Sequence, residues 1–518
     1  MYKTCIRIHR ICIWVMVFWL SVVSARAQRA FWSQRGHIEN VTDKSLYSFK
    51  EDIRKVGSTA TAPLTCMGSP KVPVILVQFT DLSFKVGKND EKVKALYHDF
   101  FNAGKGVQPA DNACSVKEYF RNNSDGLFTP QFDIIGPVTL SKSYTYYGTD
   151  NRYGANDIHI AELYQEACLA AKDGSNTDWS LYDNNHDGIV DIVFFIYAGQ
   201  GQNQEGAPDD VIWPKESVSP LTVRSGGSSV TFAAYGCSNE LLFDEMDGIG
   251  SCIHELCHGM GLPDFYDTND VAYGLDYWDV MDAGCYKQGG KEPVELSAYE
   301  RDFFGWRSLV ELDPDDAYSL TLHPLEKGGV GYKVMNKANL NEYFILENRQ
   351  NLGTDVYIGW QVDYQQRIYG WNHGLMITHV DYNATSWRNN NINTNQYHQS
   401  ITLVPADGEL IPARKQDDEM TDEAWTEAWA LSQHGDLYPS DKNITEMSSY
   451  SVFRGKMLQQ TIDNIVEHQN GTITLDINGG NPEGLKEPDV PEITKVTSPG
   501  QLLYSYPSAD DSSSLALR

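Results

Sequence analysis

Apolar positions along this chain fall into two textures. Up to about residue 310 they come in long blocks. "VPVILVQF" (Val72–Phe79) is a continuous apolar run, which predicts a strand covered on both faces. Pro73 sits at its start, where a missing N–H least disturbs a ladder. "IVDIVFFIYAGQG" repeats that pattern and leaves through glycines. "DIHIAELYQEACLAAKD" (Asp157–Asp173) sets Ile160, Leu163, Ala167 and Ala171 at helical spacing, so an amphipathic helix is expected there. "GIGSCIHELCHGMG" places Ile249, Ile253, Leu256 and Met260 on one side of a further helix, packed into a core. Beyond about residue 310 the runs shorten. "YSLTLHPL", "EYFILENRQ", "GLMITHVD", "QSITLVPAD" and "GTITLDING" alternate with turns and predict a strand-rich accessory domain. "WRNNNINTNQYHQS" is an Asn-rich loop within it.

The ends carry a different pattern. Lys3, Arg7 and Arg10 precede the apolar run Ile11–Ala25, and "ARA" at Ala25–Ala27 fits cleavage before Gln28. The run is short for a membrane span, which takes about 20 apolar residues. The expected organisation is a signal peptide (1–27), a propeptide (28–70), a catalytic domain (71–310), a β-rich accessory domain (311–480) and a Pro/Ser/Asp-rich tail or linker (481–518). The mature protein is expected to be secreted, extracellular or periplasmic, without stable membrane association.

Composition narrows the function classes. The 518 residues are 41% hydrophobic and 21% charged, as in ordinary globular proteins. The net charge of −29 (70 acidic against 41 basic residues) disfavours nucleic acid and anionic membrane as partners. A monomer is expected. Cys5 and Cys12 leave with the signal. The odd set of Cys66, Cys114, Cys168, Cys237, Cys252, Cys257 and Cys285 requires an unpaired or intermolecular thiol. Cys285 has Cys252 or Cys237 as candidate disulfide partners. Cys252 and Cys257 cannot pair while their helix holds, being about 140° apart around it.

"GSCIHELCHGMGLPDFYD" (Gly250–Asp267) holds the candidate chemistry. His254 and His258 stand one helical turn and about 40° apart, so both imidazoles can meet one ion. Glu255 projects beside them and can reach a water on that ion, as in the H-E-x-x-H arrangement of zinc hydrolases. Gly259 and Gly261 end the helix, and Asp264 follows ten residues after His254 as a third ligand. Three protein ligands plus water is the coordination of a catalytic zinc. Met281, in "YWDVMDAG", lies seventeen residues after Asp264, a remove at which metzincins carry a methionine turn beneath the metal. Zinc there would lower the pKa of its water and polarise a scissile carbonyl, with Glu255 as proton acceptor and donor. Tyr286, five residues past Met281, is a candidate for assisting the oxyanion or binding substrate. Cys257 reads as a small buried hydrophobe.

These segments resemble the immune inhibitor A family of secreted bacterial metallopeptidases. "SVKEYFRNNSDGLFTPQFDIIGPVTL", "DNNHDGIVDIVFFIYAGQGQ", "ELSAYERDFFGW", "EYFILENRQ" and "GLMITHVD" add to that resemblance in the family's order, over roughly Val72–Gly480. The resemblance implies a zincin catalytic domain of α/β class, metzincin-like, with a mixed sheet and an active-site helix. A β-rich, sandwich-like C-terminal domain and bound calcium go with it. It implies a zinc metalloendopeptidase acting on proteins or peptides, with His254, His258 and Asp264 on zinc and Glu255 as general base. Cys257 within the motif departs from the family pattern, and no membrane-binding tail module is evident.

Two further sites are expectations. In "DNNHDGIVD", Asp183, Asn185 and Asp187 alternate before Gly188 like the first half of a calcium loop, and Asp191 could close it. The alternative is a solvated Asx-rich turn. Cys66, ahead of the catalytic domain, is a candidate latency thiolate for the fourth zinc position, against an ordinary propeptide cysteine. Two other function classes compete. One is a catalytically inactive, calcium-dependent binding protein on this scaffold; the other is a zinc amidase or deacetylase.

Overall fold

The computed structural model describes residues 64–480, apart from 105–107, 153–155, 205–206, 269–271, 356–360, 363–367, 370–372, 413–419 and 448–449. The expected signal peptide, residues 28–63 of the expected propeptide and the tail lie outside the described residues.

The first half is built around the apolar runs. Strand β1 (Lys71–Gln78) has six consecutive buried residues. It lies between two parallel neighbours, β2 (Gln131–Thr139) and β3 (Val190–Gln200). Parallel neighbours need crossovers. Helices α1 (Asp90–Asn102) and α2 (Val116–Asn123) lie between β1 and β2; α3 (Tyr144–Tyr147) and α4 (Ile160–Gly174) lie between β2 and β3. After β3 come β4 (Lys215–Ser217), β5 (Leu221–Ser225), β6 (Ser228–Leu242) and β7 (Glu245–Met246). β6 runs parallel to β3, whereas β4, β5 and β7 pair with β6 antiparallel, so the sheet is mixed, in the order β2-β1-β3-β6-β4.

Alternation along β3 assigns the two faces. Phe195 enters a core with Leu163, Tyr164 and Ala167 of α4. Phe194 points the other way, against Phe101 of α1. Helix α5 (Gly250–Gly259) lies on that second face, where Gly259 approaches Ile192 and Gly236 lies between Phe194 and the Glu255 Cβ. α4 begins at Ile160, the first apolar position of its pattern. Asp157 has a left-handed backbone (φ 50), and its buried carboxylate accepts from Trp213 N–H and pairs with Lys215.

α6 (Ala298–Phe304) closes the first half with a Ser297/Glu300 capping box and a left-handed Gly305. The second half follows as β8 (Val310–Leu312), β9 (Tyr318–Leu322), β10 (Tyr332–Met335), β11 (Glu342–Arg349), the short pair β12 (Gln361–Val362) and β13 (Ile368–Tyr369), and β14 (Gly374–Asp381). Helix α7 (Ala384–Arg388), β15 (Ile401–Leu403), α8 (Asp422–Ser432), β16 (Ile462–Glu467) and β17 (Ile473–Ile477) complete it. One sheet runs β15-β14-β11-β10-β8 and another β16-β17-β9. Both contribute to one apolar core, with Phe344 and Ile377 from the first and Leu320, Ile465 and Leu475 from the second. Among the described residues no helix is long and apolar enough to cross a membrane.

Candidate metal centre

Helix α5 owes its orientation to its apolar stripe. Ile249, Ile253, Leu256 and Met260 are all essentially inaccessible to solvent. The helix also needs Gly250 at its start, because a Cβ there would stand 1.8 Å from the Cys285 carbonyl oxygen. Gly261 (φ 104) reverses the chain past the helix end, as its position in the motif suggested.

That placement turns His254 and His258 toward Asp264. Each imidazole is held by its far nitrogen. His254 Nδ1 lies 2.9 Å from the Val280 carbonyl and His258 Nδ1 lies 2.7 Å from the Leu262 carbonyl. A carbonyl only accepts, so both Nδ1 atoms carry a proton and each Nε2 presents a lone pair when its ring is neutral. The two Nε2 atoms are 3.1 Å apart, and Asp264 Oδ1 is 3.1 Å from one and 3.0 Å from the other. Three acceptors facing one another repel unless a cation lies among them. Three ligands about 2.0–2.1 Å from a tetrahedral ion stand about 3.3 Å apart, so this triangle fits zinc with a few tenths of an ångström of expansion. Among the described residues these are the one set of three His, Cys, Asp or Glu side chains gathered closely enough for a metal. Burial opposes protonation of both imidazoles, but Asp264 outweighs it and the net pull is upward. Burial likewise opposes ionisation of Asp264, and the two imidazoles overcome it, holding the carboxyl well below its usual range.

Glu255 lies beside this triangle, buried, with its pKa raised by burial and partly restored by His254 and His258. Met281 is fully buried. Its N–H donates to Asp279 Oδ1 (2.8 Å) and its carbonyl accepts from Phe265 N–H (2.9 Å). With Val280 holding His254, the turn around Met281 is stitched to both α5 and the loop that carries Asp264. Asp279 beneath it is raised to about 6 by burial, and Glu300 is raised well above the carboxylate range by burial and then by the Asp279 charge, so this pair retains a proton.

Tyr286 is half exposed, with its hydroxyl 3.3 Å from Asn203 Nδ2. Cys66 is placed elsewhere. Its thiol is buried 3.7 Å from the Met260 carbonyl at the end of α5, and it does not join the metal set. No disulfide joins Cys285 to Cys252 or Cys237; all three are thiols. Asp183, Asn185 and Asp187 do share one loop, where Asp183 accepts from Asp187 N–H (3.0 Å) and Gly188 N–H (2.8 Å). Asp191 is buried with Oδ1 lacking a hydrogen-bond partner, while Asn184 holds its Oδ2 at 3.0 Å. The three carboxylates of this loop do not converge as the zinc set does.

Three neighbours of the site were not singled out from the sequence. Tyr266 stacks over His254 at 6.4 Å, and its pKa is raised by burial, then by Asp264 and Glu255. Glu216 on β4 is lifted to about 8 by burial, within electrostatic reach of His258 and Glu255. Asn390, from the Asn-rich loop, grips Asp264. Tyr266 lies inside the motif and could have been flagged by its position; nothing in the sequence links the other two to the metal.

The family model described as immune inhibitor A peptidase M6, catalytic domain, matches residues 65–308. Immune inhibitor A of Bacillus thuringiensis subsp. alesti is 27% identical over 287 residues, covering 47% of this chain and 41% of that protein. Pre-pro-metalloprotease PrtV of Vibrio cholerae serotype O1 (strain M66-2) is 27% identical over 271 residues, covering 45% and 29%. The chain spans less than half the length of either relative. Over residues 65–308 the chain is similar to the catalytic domain of the immune inhibitor A-like M6 peptidases.

Proposed function

We propose that this chain is a secreted zinc metalloendopeptidase that hydrolyses peptide bonds in proteins, with Glu255 as general base. The observation that carries the reading is the convergence of His254 Nε2, His258 Nε2 and Asp264 Oδ1 beside a buried glutamate. Two imidazoles and a carboxylate suit zinc, which when bound supplies a Lewis acid and lowers the pKa of a coordinated water. Val280 and Leu262 carbonyls hold the imidazoles with Nε2 inward. Glu255 accepts the proton of the attacking water and returns it to the departing amine. The test is incubation of zinc-loaded protein, from Gln28 onward, with casein and a mixed peptide library. Internal cleavage that a chelator abolishes is expected. A zinc-bound, correctly processed protein that cuts nothing would favour the binding-protein reading. Cleavage confined to acyl-amides would favour the amidase.

Tyr286 is proposed to support the oxyanion or the substrate from the rim of the cleft. Tyr286→Phe should lower kcat about 10-fold with KM unchanged, the pattern of an interaction made only in the transition state. A rise in KM alone would make it a substrate-binding residue instead.

Calcium in the Asp183–Asp191 loop is proposed on its alternating oxygen ligands and on the buried Asp191 oxygen that has no hydrogen-bond partner. Calcium should raise the thermal transition of wild type, and Asp187→Ala should remove that increment while changing little in chelator. Equal loss with and without calcium would show that the loop is held by its Asx hydrogen bonds alone.

A further inference from the structure

Asp264 differs from the two histidines in where it stands. It lies past the helix, in a stretch without regular secondary structure. A carboxylate on such a segment has rotamer and backbone freedom that a helical ligand lacks. Its first oxygen faces both Nε2 atoms. Its second oxygen, Oδ2, accepts from Asn390 Nδ2 at 2.5 Å, and its backbone N–H donates to Asn390 Oδ1 at 2.7 Å. One carboxamide therefore closes a ring with one residue. The N–H can only donate, so Oδ1 of Asn390 is the acceptor and the amide orientation is determined.

Asn390 belongs to the accessory half, 126 residues further along the chain. It follows α7 in a left-handed conformation (φ 51) that asparagine tolerates. Its surroundings are anchored at both ends. Asn383 caps α7 through Thr385 and Ser386 N–H groups, and the buried Trp387 donates to the Tyr299 hydroxyl at 2.9 Å. Beyond it, Asn393 Nδ2 donates to the Phe265 carbonyl at 2.6 Å and to the Ile401 carbonyl at 2.8 Å, while Gln399 Oε1 accepts from Gly274 N–H at 2.8 Å. The loop after α7 thus holds Asp264 and the segment that follows it.

We propose that Asn390 is a positioning residue for the metal, fixing Asp264 so that Oδ1 alone is presented and making the accessory half part of the metal site. The amide occupies Oδ2, which favours one-oxygen ligation and sets the direction of the Oδ1 lone pair. Groups that orient a ligand in this way contribute about 10–100-fold to metal affinity. Asn390 is exposed as a residue, so truncating it opens no core.

The proposal rests on the zinc reading above, and the experiment separates the two. Zinc dissociation constants would be measured by chelator competition for wild type, Asn390→Ala, Asn390→Asp and Asn389→Ala, with the thermal transition of each apoprotein. Asn390→Ala should bind zinc about 10–100-fold more weakly, with its apo transition within a few degrees of wild type. Asn390→Asp keeps the shape but replaces the donor by a second carboxylate beside Asp264; it should lose at least as much without additional ligation. Asn389→Ala, which truncates the exposed residue next to Asn390, should keep wild-type affinity. Wild-type affinity in Asn390→Ala, or equal loss in Asn389→Ala, would overturn the positioning role. If Asn390→Ala does not fold, the isosteric Asn390→Asp decides on the same criterion. Failure of wild type to bind zinc would instead overturn the zinc reading.

Discussion

Glu255→Gln should lower kcat for a defined peptide by about 10²–10⁴-fold, the usual contribution of a positioned general base. Zinc stoichiometry should stay at wild-type level. The side chain is buried beside the three converging ligand atoms, and glutamine preserves its volume. The ligands are held by other groups: Val280 and Leu262 carbonyls for the histidines and Asn390 for Asp264. The change therefore removes a proton acceptor and leaves the site standing. Assays should use protein with its propeptide removed and zinc content measured in parallel. A variant that retains more than about a tenth of wild-type kcat would remove Glu255 as the base. A variant that has lost its zinc would make the measurement a test of metal binding, and Glu255→Asp would then be the informative comparison.

The convergence of His254, His258 and Asp264 was legible because its determinants are local. Helical spacing alone brings His254 and His258 to one side, and the glycines that end the helix set up the return to Asp264. β1 and β3 were legible because parallel strands buried on both faces read as unbroken apolar runs. β6 breaks that rule. Its end carries the buried polar residues Asn239 and Glu240, which anchor neighbouring segments: Glu240 accepts from Val86 and Gly199 N–H, and Asn239 donates to Asp247. Polarity there serves loop anchoring, which no periodicity encodes. Asn390 was illegible for a related reason. Its loop reads as solvated polar chain, and its partner lies in the other half of the molecule. The start of α5 pressing on Cys285 through Gly250 is equally invisible, since a glycine declares close approach only when the neighbour is known.

Arg349→Met should lower stability by about 3–5 kcal/mol, the cost of stranding a buried carboxylate. Arg349 ends β11 almost wholly out of solvent, with Asp355 equally buried. Its guanidinium meets Asp355 through Nε (2.7 Å) and Nη2 (2.9 Å), and Glu347 through Nη1 (3.0 Å). Nη2 also donates to the Glu295 carbonyl at 3.1 Å, and Glu295 N–H returns to Asp355 at 2.7 Å. The cluster thus fastens the accessory half to the segment around Glu295, whose neighbour Val294 bonds the Gly284 carbonyl next to the methionine turn. Glu326, lifted to about 9 by burial and then by Asp355, is neutral beside them and offers Asp355 no counter-charge. Removing the arginine leaves Asp355 and Glu347 without a cation in a place water does not reach. Arg349→Lys should rescue little, because one ammonium cannot replace a two-point grip on Asp355 and a third contact to Glu347. Pairing Arg349→Met with Asp355→Asn should recover part of the loss, since the stranded charge rather than the missing attraction dominates the cost. Thermal transitions of the four proteins decide the matter. If Arg349→Met melts with wild type, or if the double variant melts below the single one, the cluster does not join the two halves by compensating buried charge.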